Sequence, residues 1–402
     1  MKERKRILFV INTMGRAGAE TALLELLKQI DQDEYEIFLY VLMGQGEMIK
    51  ELPANVRLLN QSFSKLSVLT KKGRRRMAGT ILLSFLRNGA FGSKLCSMFQ
   101  SFASMAGNGN IQVSKLLWRV ASKGARRFET HFDLAVAWLE GGSAYYVADH
   151  VNAYKKAAFI HTDYIRSGYT RVMDQACWEQ YEEIFAVSEE VKRRFQAFYP
   201  EYKEKVSVFY NVIDPESITQ RSKEEGGFSD DYDGARILTV GRLTYEKGHD
   251  IAIEAMMLLK NSGYMARWYV LGEGGQRGAL ERKIESLGLK EDFRLLGTVE
   301  NPYPYYAQAD IYVHTSRVEG RSVAILEAQT LGCAVIASDC CGNKEQIVNG
   351  RDGILCALNP HIVADSIERL IKDKEYRKEL GRAAKAKKAP KGQLKKLLGL
   401  LS

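Results

Sequence analysis

Apolar and polar positions along this chain fall into short blocks separated by turn residues. Arg6–Asn12, Tyr35–Met43, Phe132–Trp138, Ala157–Ile160, Ile184–Val187 and Val206–Phe209 read as strands in the first half. Arg236–Val240, Trp268–Leu271, Phe293–Leu296, Ile311–His314, Ala334–Ala337 and Ile354–Cys356 read as strands in the second. Such runs are apolar nearly throughout, as expected of parallel strands covered on both faces. Helical spacing lies between them. Leu23, Leu26, Leu27 and Ile30 share one face of a helix Ala19–Ile30. Gln175–Glu183 is predicted helical, and Ser188 is placed to cap a helix Glu189–Phe198. Ser322–Thr330 is an apolar helix ended by Gly332.

Regular alternation of strand and helix predicts an α/β protein with two doubly wound, Rossmann-like domains. The first is expected over residues 1–213 and the second over 235–385. The polar, glycine-containing stretch 214–234 is expected to link them. Residues 386–402 end in a short apolar helix around Leu394, Leu397, Leu398 and Leu400, expected to return to the first domain.

Residues 60–130 break this pattern. Leu95, Met98, Phe99 and Phe102 recur at helical spacing, as do Val113, Leu116, Leu117 and Val120. From Leu52 to Phe128 there is no Asp or Glu, and fourteen Lys and Arg. Removing those fourteen charges from the net +9 leaves −5 for the rest of the chain, so one segment is basic and the remainder is not. Basic amphipathic helices suit an anionic membrane surface, at about 1 kcal/mol per basic residue near it. In the competing reading, the stripes pack on the first domain and the charges form a solvated face. Nucleic acid is not expected as a partner, because no aromatic-interleaved RNA or DNA signature accompanies the charge.

The 46% hydrophobic and 27% charged residues are ordinary for a globular chain. The six cysteines lack CxxC pairing and read as reduced. MKERKR precedes an apolar run that stops at Asn12 and Gly15, which fits a buried first strand better than a leader. No stretch is long and apolar enough to span a bilayer. The expected location is cytoplasmic, peripheral on the inner face of the cell membrane.

Candidate chemistry lies at two strand ends. After Ile311–His314 comes a polar loop with Glu319, and Glu327 follows eight residues later. Eight residues at 3.6 per turn are a little over two turns, so the carboxylates are expected on one side. A helix N-terminus favours a phosphate, and a carboxylate beside it accepts from hydroxyls. Phosphate plus polyol describes a nucleotide sugar. Taken alone, two such glutamates also fit dipole complementation and ion pairing. After Arg236–Val240, Gly241 ends the strand, and Arg242 and Lys247 flank the next loop. Two cations there suit a diphosphate. The first turn carries Gly15 and Gly18 as GxxG, and no clear acidic residue follows the second strand, which argues against a dinucleotide dehydrogenase.

Several stretches together resemble the retaining glycosyltransferases of family 4, of bacterial capsule and exopolysaccharide type. They are GRLTYEKGHD (241–250), VLGEG (270–274), LGTVEN (296–301), ADIYVHTS (309–316), EGRSVAILEA (319–328), NGRDG (349–353) and INTMGRAGAETALLELL (11–27). The resemblance leaves out roughly residues 60–130. It implies a GT-B fold, with two domains facing a cleft. It implies transfer of a sugar, with retention, from a nucleotide diphosphate sugar, UDP favoured, to a lipid-linked or oligosaccharide acceptor. No metal or other cofactor is expected. By resemblance the catalytic residues are Glu319, His161, Arg242 and Lys247. The donor-binding set is Gly15, Gly18, Gly241, Arg242, Lys247, Glu319, Gly320, Arg321, Ser322 and Glu327, with Glu319 on the sugar and Glu327 on the ribose. Arg321 and Ser322 depart from the family, which usually has an aromatic or aliphatic residue and then Gly or Pro. Asp163, near His161, is a candidate acceptor base. A sugar-nucleotide epimerase and a non-catalytic partner subunit are the alternatives. The second would be marked by loss of the cations or of Glu319, and all are intact.

Overall fold

Ile7 to Ile11 have no exposed surface, as a strand buried on both faces requires. The computed structural model describes residues 4–401 apart from 90, 108, 110 and 389. Among them, one sheet comprises β1 (Lys5–Ile11), β2 (Tyr35–Val41), β3 (Val56–Leu58), β4 (Phe132–Ala137), β5 (Ala153–Ile160), β6 (Glu183–Ala186) and β7 (Val206–Val208). Its order is β3-β2-β1-β4-β5-β6-β7, with every pairing parallel. The other comprises β8 (Ala235–Val240), β9 (Ala266–Leu271), β10 (Phe293–Gly297), β11 (Ile311–His314), β12 (Ala334–Ser338) and β13 (Ile354–Cys356). It is also parallel, in the order β10-β9-β8-β11-β12-β13.

These are two Rossmann-like domains in an α/β fold. In each, the strand order reverses beside the first strand, between β1 and β4 and between β8 and β11. Open α/β sheets bind ligands at the carboxyl ends of the strands flanking that reversal. Contacts divide the chain into residues 1–212 with 390–402, and residues 213–389. The terminal helix Gln393–Leu398 lies on the first unit. Gln393 accepts from Tyr210 N at 2.9 Å, Lys396 donates to Val208 O at 2.8 Å, and Leu397 is fully buried.

Three expectations change. Gln175–Glu183 is not one helix. Short turns Arg171–Asp174 and Cys177–Gln180 flank Gln175 and Ala176, both left-handed at φ 46° and 59°. Two such residues interrupt right-handed helix geometry. The stretch read as a linker begins with a helix, Pro215–Arg221, whose start is capped by Asp214 accepting from Glu216 N and Ser217 N at 3.0 Å each. β3 is too short to stand out from its polar surroundings.

The two apolar stripes of the basic segment have different fates. Leu116 and Val120 are buried, with Val120 in the first turn of the short helix Trp118–Lys123. In the helix Phe91–Gly107, by contrast, Lys94, Ser97, Ser101 and Met105 point inward, while Phe99 and Phe102 are exposed. Among the described residues, no helix is long and apolar enough to cross a membrane.

Candidate functional site

The second unit gathers its polar chemistry at the ends of β8 and β11. β11 terminates in His314, and the chain then loops through Ser316 and Glu319 before the helix Val323–Leu331 begins. Ser322 caps that helix, accepting from Ile325 N at 3.3 Å, and Gly332 closes it in a left-handed conformation. The amides of Val323 and Ala324 have no partner among the described residues. Gln346 clamps the loop: its Oε1 accepts from Ser322 N at 2.7 Å and its Nε2 donates to Ser322 O at 2.8 Å.

Glu319 is the centre of this loop. Its Oε1 takes the ammonium of Lys247, the imidazole Nε2 of His314 at 2.8 Å and the hydroxyl of Ser316 at 2.6 Å. Its Oε2 takes no hydrogen bond among the described residues. Tyr312 OH lies 3.1 Å from His314 Nδ1, and an Nε2–H tautomer serves both contacts. Burial alone would raise the Glu319 carboxyl. The Lys247 ammonium and the His314 hydrogen bond outweigh it and hold the carboxyl well below the usual range. Burial pushes His314 down, against the pull of Glu319, so its ring is neutral near pH 7.

Lys247 reaches this carboxylate because two loops touch. Gly248 has φ +64°, and a Cβ there would sit 2.0 Å from Thr315 O. Only glycine permits both the left-handed turn and that approach. Thr315 Oγ1 returns a hydrogen bond to Lys247 O at 3.1 Å. His249 Nε2 lies 3.0 Å from Arg242 O, which fixes the turn after Gly241. The Arg242 side chain is exposed and makes no hydrogen bond or ion pair among the described residues. Gly320 is buried and Arg321 half-buried. A Cβ on Gly342 would lie 2.5 Å from Gly320 O, so a small residue is needed beside that turn as well.

Glu327 is buried inside the helix and takes Tyr303 OH on Oε1 at 3.2 Å and Tyr306 OH on Oε2 at 3.1 Å. The two-turn argument for its pairing with Glu319 does not hold. Glu319 stands four residues before the first helical residue, so helical spacing does not relate the two.

In the first unit, Gly15 lies in the turn after β1, and the helix Gly18–Gln29 begins at Gly18. Met14 pins that turn, its N donating to Gln45 O and its O accepting from Met48 N, both at 2.9 Å. Trp138 Nε1 donates to Ala19 O at 2.8 Å and so holds the first helical turn. His161 directly follows β5 and packs on Trp138, with ring centroids 5.6 Å apart. Its N donates to Glu140 Oε2 at 2.9 Å, and Thr162 Oγ1 donates to Glu140 Oε1 at 3.0 Å. Burial pushes His161 down to about 4 despite nearby Glu140, and its buried Nε2 has no hydrogen-bond partner among the described residues. Asp163 is engaged in structure: Oδ1 accepts from Ile165 N at 3.1 Å, and Arg194 stands 4.0 Å from Oδ2.

Sequence reasoning missed His314, Ser316, Gln346 and Glu140. Position was the available signal for His314 and Glu140. His314 ends a strand beside the sheet's reversal, and Glu140 lies just past the end of another.

The fold is that of the two-domain GT-B glycosyltransferases. Residues 222–387 match the family model for glycosyl transferases group 1. Over 204 residues the chain is 31% identical to an N-acetylgalactosamine-N,N'-diacetylbacillosaminyl-diphospho-undecaprenol 4-alpha-N-acetylgalactosaminyltransferase of Campylobacter jejuni, covering 48% of this chain and 54% of that one. It is 26% identical over 144 residues to a capsular polysaccharide biosynthesis glycosyltransferase of Staphylococcus aureus, covering 35% and 38%. The chain thus spans about half, or less, of the curated relatives it matches. Anabaena HepE, solved with UDP and glucose, superposes with a TM-score of 0.65 at 17% identity, over 95% of this chain and 94% of that one.

Proposed function

We propose that this chain is a retaining glycosyltransferase. It moves a sugar from a nucleotide diphosphate sugar, UDP favoured, to a lipid-linked glycan acceptor in cell-envelope polysaccharide synthesis. The observation that carries this is the Glu319 carboxylate. One oxygen is fastened by Lys247, His314 and Ser316, and the other is left to accept from a ligand hydroxyl. A carboxylate kept charged, rigid and half-satisfied suits a polyol.

In this scheme Arg242, Lys247 and the amides at the start of the helix Val323–Leu331 receive the diphosphate. Glu327 exchanges its tyrosine hydroxyls for those of the ribose. Gly241, Gly320, Arg321 and Ser322 shape the donor loop, and Gly15 and Gly18 are assigned to the donor by resemblance alone. His161, neutral near pH 7, is assigned to the sugar by resemblance alone. The bond from the anomeric carbon to the phosphate oxygen breaks, and a bond from that carbon to the acceptor oxygen forms on the same face. The acceptor proton passes to the departing phosphate, so no separate base is required. The cations supply the charge a metal would otherwise bring, and the scheme runs without one.

Relatives named for an undecaprenol-linked substrate and for capsular polysaccharide support a lipid-linked acceptor and a peripheral place on the inner membrane face. The acid-free basic segment supports an anionic membrane surface as partner. The test is incubation of UDP-sugars with undecaprenyl-diphosphate glycans, reading UDP release and the anomeric configuration of the product by NMR. An α-linked product from an α-linked donor is expected. An inverted product, or a free isomerised sugar nucleotide, would refute the reading.

A further inference from the structure

The helices Lys71–Leu86 and Phe91–Gly107 form a hairpin that turns large apolar residues outward, while Met77 and Ile81 of the first helix pack on the core. Leu82, Leu83 and Leu86 are 65%, 49% and 70% exposed, and Phe91, Phe99 and Phe102 are 56%, 60% and 47% exposed. The inner side of the second helix is Lys94, Ser97, Ser101 and Met105. A helix on a soluble surface ordinarily does the reverse. Single exposed apolar residues need no explanation, but six on one hairpin do.

Two features say what covers this face. The first is charge. Lys71, Lys72, Arg74, Arg75 and Arg76 are exposed on the opening turns of the first helix, and no acid occurs from Leu52 to Phe128. Arg75 and Leu86 are eleven residues apart, about 16 Å along the axis, so a basic end stands behind an apolar one. That is the sequence of layers met from lipid phosphates to acyl chains. A second copy of this chain would set like charge against like.

The second feature is the backbone at the apolar end. The last turn of a helix leaves carbonyls without intrahelical donors. Here Lys94 Nζ, on a side chain turned inward, donates to Ser84 O at 2.8 Å, to Phe85 O at 3.3 Å and to Arg87 O. Lys94 is 1% exposed. Asn88 Nδ2 donates to Ala125 O at 2.8 Å and ties the turn down. Contact with hydrocarbon demands that backbone polar groups be satisfied within the protein.

We propose that this hairpin inserts its apolar end into the interface of a membrane containing anionic lipid, with Lys71–Arg76 at the level of the phosphates. This deepens the membrane reading above and rests on it. Attachment is then by insertion as well as by charge.

The test uses the full chain with Phe91→Trp or, as a control on the outer helix Pro360–Lys372 of the second unit, Ile362→Trp. Of the four native tryptophans, Trp138, Trp178 and Trp268 are at most 1% exposed, and Trp118 is half-buried, so the signal of the native chain with the same vesicles is subtracted. With phosphatidylcholine–phosphatidylglycerol vesicles, the indole introduced by Phe91→Trp should shift to the blue and be quenched by brominated acyl chains. That introduced by Ile362→Trp should not. Leu82→Ser with Leu86→Ser should lower the partition coefficient about tenfold or more while leaving UDP binding unchanged. Vesicle binding that salt abolishes, with no acyl-chain quenching, would overturn insertion. A blue shift without vesicles, accompanied by a doubled mass in light scattering, would assign the face to a second copy instead. Loss of UDP binding alongside intact quenching would strike the transferase reading and leave insertion standing.

Discussion

His314 Nε2 lies 2.8 Å from Glu319 Oε1, the same oxygen that receives Ser316 and Lys247. Three donors on one oxygen fix the rotamer and leave Oε2 for a ligand. His314→Ala should therefore loosen the sugar contact without touching the diphosphate. The expected result is UDP affinity within about twofold of the native protein, with turnover lowered roughly tenfold or more, the equivalent of one lost hydrogen bond to a charged group. His314→Gln, which keeps a donor, should recover part of it. Steady-state kinetics decide, and unchanged turnover in His314→Ala would make the residue a packing element only.

Lys247 and Glu319 form an ion pair with side chains 19% and 11% exposed. Removing one partner of a largely buried pair is costlier than removing both. Lys247→Met should lower stability by about 3 kcal/mol, and Lys247→Met with Glu319→Gln by less. Urea denaturation of the four species in the cycle measures this. Losses that simply add in the double variant would show that the pair is solvated and weak.

Stability should fall on acidification through the buried histidines. His249 is 1% exposed, and burial pushes it down to about 4. Its unfolded form protonates near pH 6.5, so the unfolded state binds more protons between those values. The contribution is present above pH 6.5 and lost as pH falls towards 4. By pH 5 the loss from His249 alone is about 2 kcal/mol. His161, also pushed down to about 4, acts in the same direction in the first unit. Denaturation at pH 7 and pH 5 should show the drop, and His249→Asn should flatten it. A profile as steep in that variant as in the native protein would remove His249 as its source.

Gly248→Ala adds one methyl group and no charge. At φ +64°, with Thr315 O 2.0 Å from the new Cβ, the turn must shift. The expected cost exceeds about 1 kcal/mol, with weaker nucleotide binding because Lys247 moves with the turn. Native affinity in Gly248→Ala would show that Lys247 reaches its ligand by another route.

Much of the fold is legible in the sequence because doubly buried parallel strands are apolar almost throughout, as Ile7–Ile11 and Ile311–His314 are. The cap at Ser188 and the stop at Gly332 were equally plain, since each is a local geometric demand met by one residue type. What stayed hidden depends on tertiary partners. His314 reads as the last residue of a strand until Glu319 folds back on it. The stripe at Leu95, Met98, Phe99 and Phe102 shows amphipathicity but not which side faces inward. Lys94 decides that by turning to the carbonyls of the preceding helix. Glu327 is visible as a helical glutamate, yet its tyrosine partners lie more than twenty residues away.

The central claim is that the second unit holds a nucleotide diphosphate between its cations and Glu327. The most direct measurement is the unfolding stability of the full chain with UDP, GDP and ADP, for the native protein, Arg242→Gln and Glu327→Gln. Arg242 is exposed, so its loss leaves the fold intact. One nucleotide at 100 times its Kd should stabilise the native protein by about 2.7 kcal/mol. At the same concentration the account predicts that most of this vanishes in both variants. Stabilisation by none of the three nucleotides, or equal stabilisation of all three proteins, would contradict it.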